Sequence, residues 1–166
     1  HLIAVGTGGL ELGASSVAEV GLREREIILE FNQAVTGLRM NNAWIRPGGV
    51  ATDLPETGLD QLRDLIKRME KYLPEIGQFC NENPIFKART QGIGYADLST
   101  CMALGVTGPA LRATGLPWDL RKTQPYCDYD TYDFDVATWD TCDCYGRFRI
   151  RLEEMDQSVR ILKQCL

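Results

Sequence analysis

Apolar residues recur at three- and four-residue spacing in two long stretches of the chain, a period typical of amphipathic helices. The clearer stretch predicts a helix from about residue 144 onward, with a stripe formed by Phe148, Leu152, Met155, Val159, Leu162 and Leu166. The other predicts a helix from about 58 to 73, with a stripe formed by Leu59, Leu62, Leu65, Ile66, Met69 and Leu73. Pro74 follows directly and could lie inside this helix only by kinking it.

The first 37 residues predict two further helices. One extends from residue 1 to about 18 and carries many small residues, which let a neighbouring backbone or a ligand approach closely. The second extends from Gly21 to Thr36, and Gly37 is a natural helix end. The charged run Arg23–Glu26 is expected to be its solvated or salt-bridged face.

The middle of the chain has weaker patterns. Short helices are expected over 97–105 and 108–113, and short strands near Ala43–Ile45 and Phe134–Val136. Residues 114–143 are irregular, aromatic and acidic. The predicted fold class is therefore mainly α, a bundle of packed helices around one core, with short irregular or β segments.

Composition narrows the class of protein without giving an activity. The chain has 166 residues, 44% of them hydrophobic, and a net charge of −5, which disfavours a surface built for nucleic acid. Its six cysteines include no C-x-x-C pair, so reduced thiols and no metal site are expected. Because the first residues already fit a helix and the last lie within an apolar stripe, residues 1–166 are expected to be a single partial domain of a longer protein.

Few residues suggest chemistry directly. Gly6-x-Gly8-Gly9 lacks the third glycine and the preceding strand of a nucleotide-binding loop. The aspartate pairs around 128–135 lack the spacing of a calcium-binding loop. Glu11 lies on an otherwise apolar, glycine-rich helix, on the same face as Thr7 and Ile3. Since an unpaired carboxylate is costly to bury, Glu11 is either a surface acid or a functional one.

Motifs along the whole chain resemble those of the 49-kDa subunit family of NADH–quinone oxidoreductase, or respiratory complex I, and their detail resembles actinobacterial members. The matching segments follow in order without large gaps: His1–Ala14, Arg23–Glu26, Thr36–Met40, Ile45–Gly49, Asp53–Pro55, Asn83–Thr90, Gly108–Gly115, Trp118–Lys122, Gln124–Tyr126, Tyr132–Val136 and Arg151–Leu166.

The resemblance implies the fold of a nickel–iron hydrogenase large subunit and a place in the quinone-reduction chamber. Glu11 stands where the family usually has Asp, an acid that pairs with a pocket histidine upstream of these residues. Thr7 and Ile3 match pocket-lining positions, while Gly8 and Gly9 would leave space for the quinone. The helix carrying residues 3, 7 and 11 is thus expected to face an enclosed cavity.

Asn41 departs from the family, in which many members have His near the terminal iron–sulfur cluster. Asn does not titrate near neutral pH, so coupling of cluster reduction to proton uptake should be weakened, which suits a low-potential acceptor such as menaquinone. Arg46, Asp119 and Arg121 also lie in family signatures, and their expected role is structural: salt bridges and loop anchoring.

The family also implies the surroundings of the chain. It would bind no cofactor itself: quinone is the substrate, the terminal 4Fe–4S cluster lies in the neighbouring subunit, and FMN and NADH bind elsewhere in the complex. The expected location is the cytoplasmic face of a bacterial plasma membrane, with peripheral-arm subunits and the membrane arm as partners. The isolated chain is expected to be inactive and to self-associate. The alternatives are a scaffold or subunit interface without its own activity, and part of a membrane-bound hydrogenase large subunit.

Overall fold

A computed structural model describes all 166 residues and confirms a mainly helical fold. Its elements in chain order are α1 Leu2–Glu11, α2 Ser15–Thr36, β1 Ile45–Arg46, β2 Gly49–Val50, α3 Glu56–Asn81, α4 Pro84–Thr90, α5 Leu98–Ala103, α6 Gly108–Arg112, α7 Leu120–Thr123 and α8 Cys144–Gln164. No helix combines the length and apolar character that crossing a membrane requires.

The boundary between the first two helices differs from the expected one. The predicted helix to about residue 18 ends at Glu11, and α2 begins at Ser15. Gly13 has φ +86°, a backbone conformation that side chains with a Cβ rarely adopt. This glycine therefore turns the chain earlier than the apolar pattern suggested, and α1 folds back against α2.

Helix α3 continues to Asn81, well beyond the predicted end near 73. Pro74 lies inside it and removes one backbone hydrogen bond. Beyond the proline, Ile76 and Cys80 are fully buried, because the apolar stripe continues on the same face. Burial of these side chains outweighs the lost hydrogen bond, and it raises the pKa of the Cys80 thiol to about 11. None of the six cysteines forms a disulfide.

The main core lies between α1, α2, α3 and α8. The predicted stripe of α8 supplies Phe148, Met155 and Val159 to it, and Leu152 and Leu162 pack against it half-buried. A second, smaller cluster forms where Ile150, on another face of α8, meets Ala113 and Ala137. The last helix therefore buries two faces, one against the bundle and one against the irregular segment before it.

The charged run on α2 is not a uniformly solvated face. Glu24 is fully buried and accepts hydrogen bonds from Arg68 Nε of α3 at 2.8 Å and from Arg23 Nε at 2.6 Å. This network ties α2 to α3 at the point where the two helices cross. Of the two roles expected for the charged run, Glu24 therefore has the salt-bridged one and not the solvated one.

Only one of the two expected strand regions is a strand. Ile45 pairs with Val50 in a two-stranded antiparallel sheet. Phe134–Val136 is irregular, because the backbone N–H groups of Asp133 and Asp135 donate to side chains of α8, Gln164 and Gln157, rather than to a second strand. The short helices α5 and α6 agree with the prediction, whereas α4 and α7 were not expected.

Candidate functional site

Helix α1 has one face packed against the protein and one face that this chain leaves open. Leu2, Val5 and Gly9 are buried, while Ile3, Thr7 and Glu11 are exposed and follow one another along the opposite side. The structure therefore brings together the three positions that the sequence assigned to one face. These 166 residues do not enclose that face in a cavity.

The side chains of the open face have few contacts within the chain. Ile3 is 39% exposed, and the Thr7 hydroxyl donates to the Ile3 carbonyl oxygen at 2.7 Å, a bond within the helix itself. Glu11, in the last turn of α1, makes no hydrogen bond or salt bridge within the chain. A ligand or another polypeptide segment could thus contact all three directly.

The two glycines expected to leave space for a ligand differ from each other. An added Cβ at Gly8 would meet nothing within 4 Å. At Gly9 it would lie 2.9 Å from Val17 Cβ of α2, so Gly9 makes room for the neighbouring helix. Only Gly8 has free space beside it, and that space belongs to a pocket between α1, α4 and α8 rather than to the face of Ile3, Thr7 and Glu11. The expectation for Gly9 was wrong.

An apolar groove of about 490 Å³ lies beside the open face, between α1, α2, α3 and α8. Ile3 lines it, together with Ile28, Phe31, Leu62 and Leu162. Arg25 of α2 stands on its polar rim, and Arg25 Nη2 contacts Met40 Sδ at 3.2 Å. The segment after α2 therefore folds back along that helix and brings the region of Asn41 towards the groove that Ile3 lines.

Asn41 and Arg46 lie in this exposed segment. Asn41 has φ +53°, a left-handed conformation that asparagine tolerates better than most residues. Arg39 fastens the segment to α2 through its salt bridge with Glu26 at 2.6 Å. Arg46 forms no salt bridge here; its Nε donates to the Ala43 carbonyl at 2.9 Å, a contact that holds the chain before the two-stranded sheet.

Asp119 and Arg121, expected to form salt bridges and anchor a loop, pair with each other, with Arg121 Nη2 at 2.7 Å from Asp119 Oδ2. The hydrogen bond from Arg121 holds the pKa of Asp119 below its usual value. The Arg121 guanidinium also lies 4.8 Å from the centre of the buried Phe134 ring. These contacts anchor the irregular loop and are not part of the open face of α1.

Sequence reasoning missed a second buried ionic cluster, centred on Glu154 of α8. Its Oε1 accepts from Arg112 Nε of α6 at 2.7 Å, and its Oε2 lies 2.5 Å from His1 Nε2. Arg112 also donates to the Trp118 carbonyl at 3.1 Å. No local signal marks Glu154 as buried, because its partners lie 42 and 153 residues away in the sequence.

Comparisons with known proteins cover the whole chain. Residues 11–166 match the family model described as the 49-kDa subunit of respiratory-chain NADH dehydrogenase. The chain is 63% identical over 166 residues to a D subunit of NADH-quinone oxidoreductase from Streptomyces coelicolor, covering 100% of this chain and 38% of that protein. It is 62% identical over 165 residues to the D subunit of a Nocardioides species, covering 99% and 37%. For the Mycobacterium bovis D subunit the identity is 57%, covering 100% and 38%. The chain thus spans less than two fifths of the curated relatives it matches.

Proposed function

Because this chain belongs to the family of the 49-kDa subunit of respiratory-chain NADH dehydrogenase, we propose that it forms one wall of the chamber in which that enzyme reduces quinone. The observation that supports this most directly is the open face of α1. That face carries Ile3, Thr7 and Glu11 on a helix whose other side is packed into the core. The chamber is closed by polypeptide outside these 166 residues.

The open face has the chemistry that a quinone headgroup requires. Reduction adds two electrons and two protons to the quinone, so protein groups must present protons close to its oxygens. Ile3 and the apolar groove that it lines accept the apolar ring, and Thr7 lies on the same face as Ile3. Glu11 acts as a positioning residue: its negative charge favours the protonated form of a histidine supplied from outside these residues, which then donates the proton.

The surroundings of the chamber follow from the family. Electrons come from NADH through FMN and iron–sulfur clusters carried by other subunits, and the terminal 4Fe–4S cluster lies in the subunit packed next to this one. The complex joins a membrane arm and lies on the cytoplasmic face of a bacterial plasma membrane. The family model and the three relatives are all of NADH dehydrogenase, so a hydrogenase is not proposed.

Glu11→Gln in the intact complex is expected to lower quinone reduction by NADH about 10- to 100-fold, by analogy with the loss when the carboxylate partner of a metal-binding histidine is removed. Glu11→Asp should restore much of the rate because it keeps the charge. Steady-state assays with a short-chain quinone measure both variants. NADH oxidation by hexacyanoferrate, which takes electrons before they reach quinone, should stay unchanged.

Glu19→Gln provides the matched control, since Glu19 is also an exposed glutamate, one that lies on α2. It should leave both rates unaltered. Normal quinone reduction by the Glu11→Ala complex would remove the chamber role. The chain would then be a scaffold and subunit interface, an alternative that its many exposed apolar side chains favour, among them Ile45, Tyr95 and Leu104.

Asn41 bears on the kind of quinone. An amide side chain binds no proton near neutral pH, so a cluster beside Asn41 should be reduced without proton uptake at this position, as suits menaquinone.

We expect the midpoint potential of the terminal cluster to be independent of pH between about 6 and 8, the range in which histidine titrates. Asn41→His should introduce a slope around the histidine pKa, about 6.5. Redox titration followed by electron paramagnetic resonance tests this, and a sloping wild-type potential that Asn41→His does not change would contradict it.

A further inference from the structure

A second pocket, of about 300 Å³, lies on the other side of α1, between that helix, α4 and the first half of α8. Its walls are mostly apolar, from Ala4, Val5, Leu12, Phe86 and Phe148. Its charged lining consists of Arg147 and Arg151, with no carboxylate. Two guanidinium groups thus share a largely apolar pocket that lacks an acidic residue.

Arg151 has no acidic partner within the chain. It is half-buried, and its Nη1 donates to the Arg147 carbonyl at 3.0 Å, one turn earlier on α8. Burial lowers the pKa of Arg151 from its ordinary value. A partly desolvated guanidinium keeps up to four further N–H donors, and buried charges in proteins are normally paired.

The charged side chains next to Arg151 already have other hydrogen-bond partners. Arg147 Nη2 donates to the Gly94 carbonyl at 2.8 Å and contacts Cys144 Sγ at 3.1 Å. Glu154, which lies about one turn after Arg151 on α8, uses one oxygen for Arg112 and holds the other against His1. Rearrangement of Glu154 towards Arg151 would break one of these contacts, so no acid of this chain is free to pair with Arg151.

We propose that this pocket is a carboxylate-binding site in which Arg151 holds the anion. The apolar walls fit the aliphatic stem of a short carboxylic acid, while the arginines fit its charged end. The structure leaves the entrance free beside Gly8, where an added Cβ would meet nothing within 4 Å. A carboxylate can come from an acidic side chain of another polypeptide segment or from a free small acid, and the chemistry at Arg151 is the same.

Arg151→Met in the intact complex tests the proposal through the sign of its effect. If Arg151 pairs with a carboxylate, the substitution leaves that anion without its partner and lowers the melting temperature, by at least about 2–4 °C for a domain of this size. If Arg151 has no partner, methionine removes an uncompensated cation, and the melting temperature stays the same or rises. The second result, together with no stabilisation of the wild-type complex by added acetate, overturns the proposal.

Two further variants separate pairing from general damage to α8. Gly8→Leu keeps Arg151 but fills the entrance, and it should lower the melting temperature similarly. The melting temperature of the double variant Gly8→Leu/Arg151→Met should then be no lower than that of either single variant, because both substitutions remove the same contact. Additive decreases in melting temperature would contradict the proposal. Arg160 is a half-exposed arginine on the same helix that pairs with the exposed Asp133 and Asp135. Arg160→Met should shift the melting temperature by less than about 2 °C.

Added acetate distinguishes the two sources of the anion. If the site takes a free acid, acetate raises the melting temperature of the wild-type complex in a saturable way, and Arg151→Met abolishes the increase; an equal concentration of chloride is the control. If a protein side chain occupies the site, acetate has no effect while Arg151→Met still lowers the melting temperature. This proposal is independent of the quinone role, which Glu11 variants test separately.

Discussion

Replacing Glu154 by alanine is expected to lower the free energy of unfolding by about 3–5 kcal/mol, the loss typical when one member of a buried ion pair is removed. The side chains of Glu154 and Arg112 are 10% and 12% exposed, so water cannot solvate the guanidinium that remains. Equilibrium urea unfolding of the full-length subunit measures the change.

The neighbouring residue provides the control for this substitution. Glu153 is exposed and accepts one hydrogen bond from Gln157, one turn later on α8. Glu153→Ala should therefore change the free energy of unfolding by less than about 0.5 kcal/mol. A loss below about 1 kcal/mol for Glu154→Ala would mean that Arg112 finds another partner or reaches solvent.

Replacing Gly21 by valine is expected to destabilise the subunit by about 3 kcal/mol, at the upper end of the range for overpacked cores. An added Cβ at Gly21 would lie 3.0 Å from the Leu2 carbonyl oxygen and 3.3 Å from Gly6 Cα. Both neighbours are backbone atoms, which cannot move aside as a flexible side chain can. The helices α1 and α2 must separate to admit the new side chain.

Gly8→Ala is the matched substitution, because it also adds a side chain to a helical glycine but meets nothing within the chain. It should increase the free energy of unfolding by about 0.5–1 kcal/mol, the usual difference between these residues inside a helix. Urea unfolding of both variants separates the effect of close backbone contact from that of helix propensity. Equal changes in the free energy of unfolding of the two variants would show that the contact between α1 and α2 tolerates a larger side chain at position 21.

The long helices could be predicted from sequence because each buries a continuous apolar stripe. The three- and four-residue spacing of apolar positions predicted α8 and most of α3. Helical geometry also placed Ile3, Thr7 and Glu11 on one face of α1. The spacing misplaced helix ends, since Gly13 and Pro74 act through backbone conformation and through packing farther along the chain. Helix α4 had a usable signal that was overlooked: Asn83 caps it, and Pro84 occupies its first turn.

Other features had no local signal. Phe134 is buried, yet the backbone beside it bonds to glutamine side chains of α8 rather than to a strand. Arg68 lies 44 residues from Glu24, and Arg112 lies 42 residues from Glu154, so only the folded chain reveals these pairs. The orientation of the α1 face could be inferred from helical geometry, whereas what lies opposite Glu11 belongs to polypeptide outside these residues.

The contact between Gly6 and Gly21 has a mechanical consequence for α1. Helices that meet backbone to backbone can neither slide nor rotate past each other without pushing a side chain into the gap. The first two helices are therefore expected to move together as one rigid unit. We expect a displacement of Glu11 to move Arg25 and Glu26 as well, and these two residues hold Met40 and Arg39 of the segment after α2.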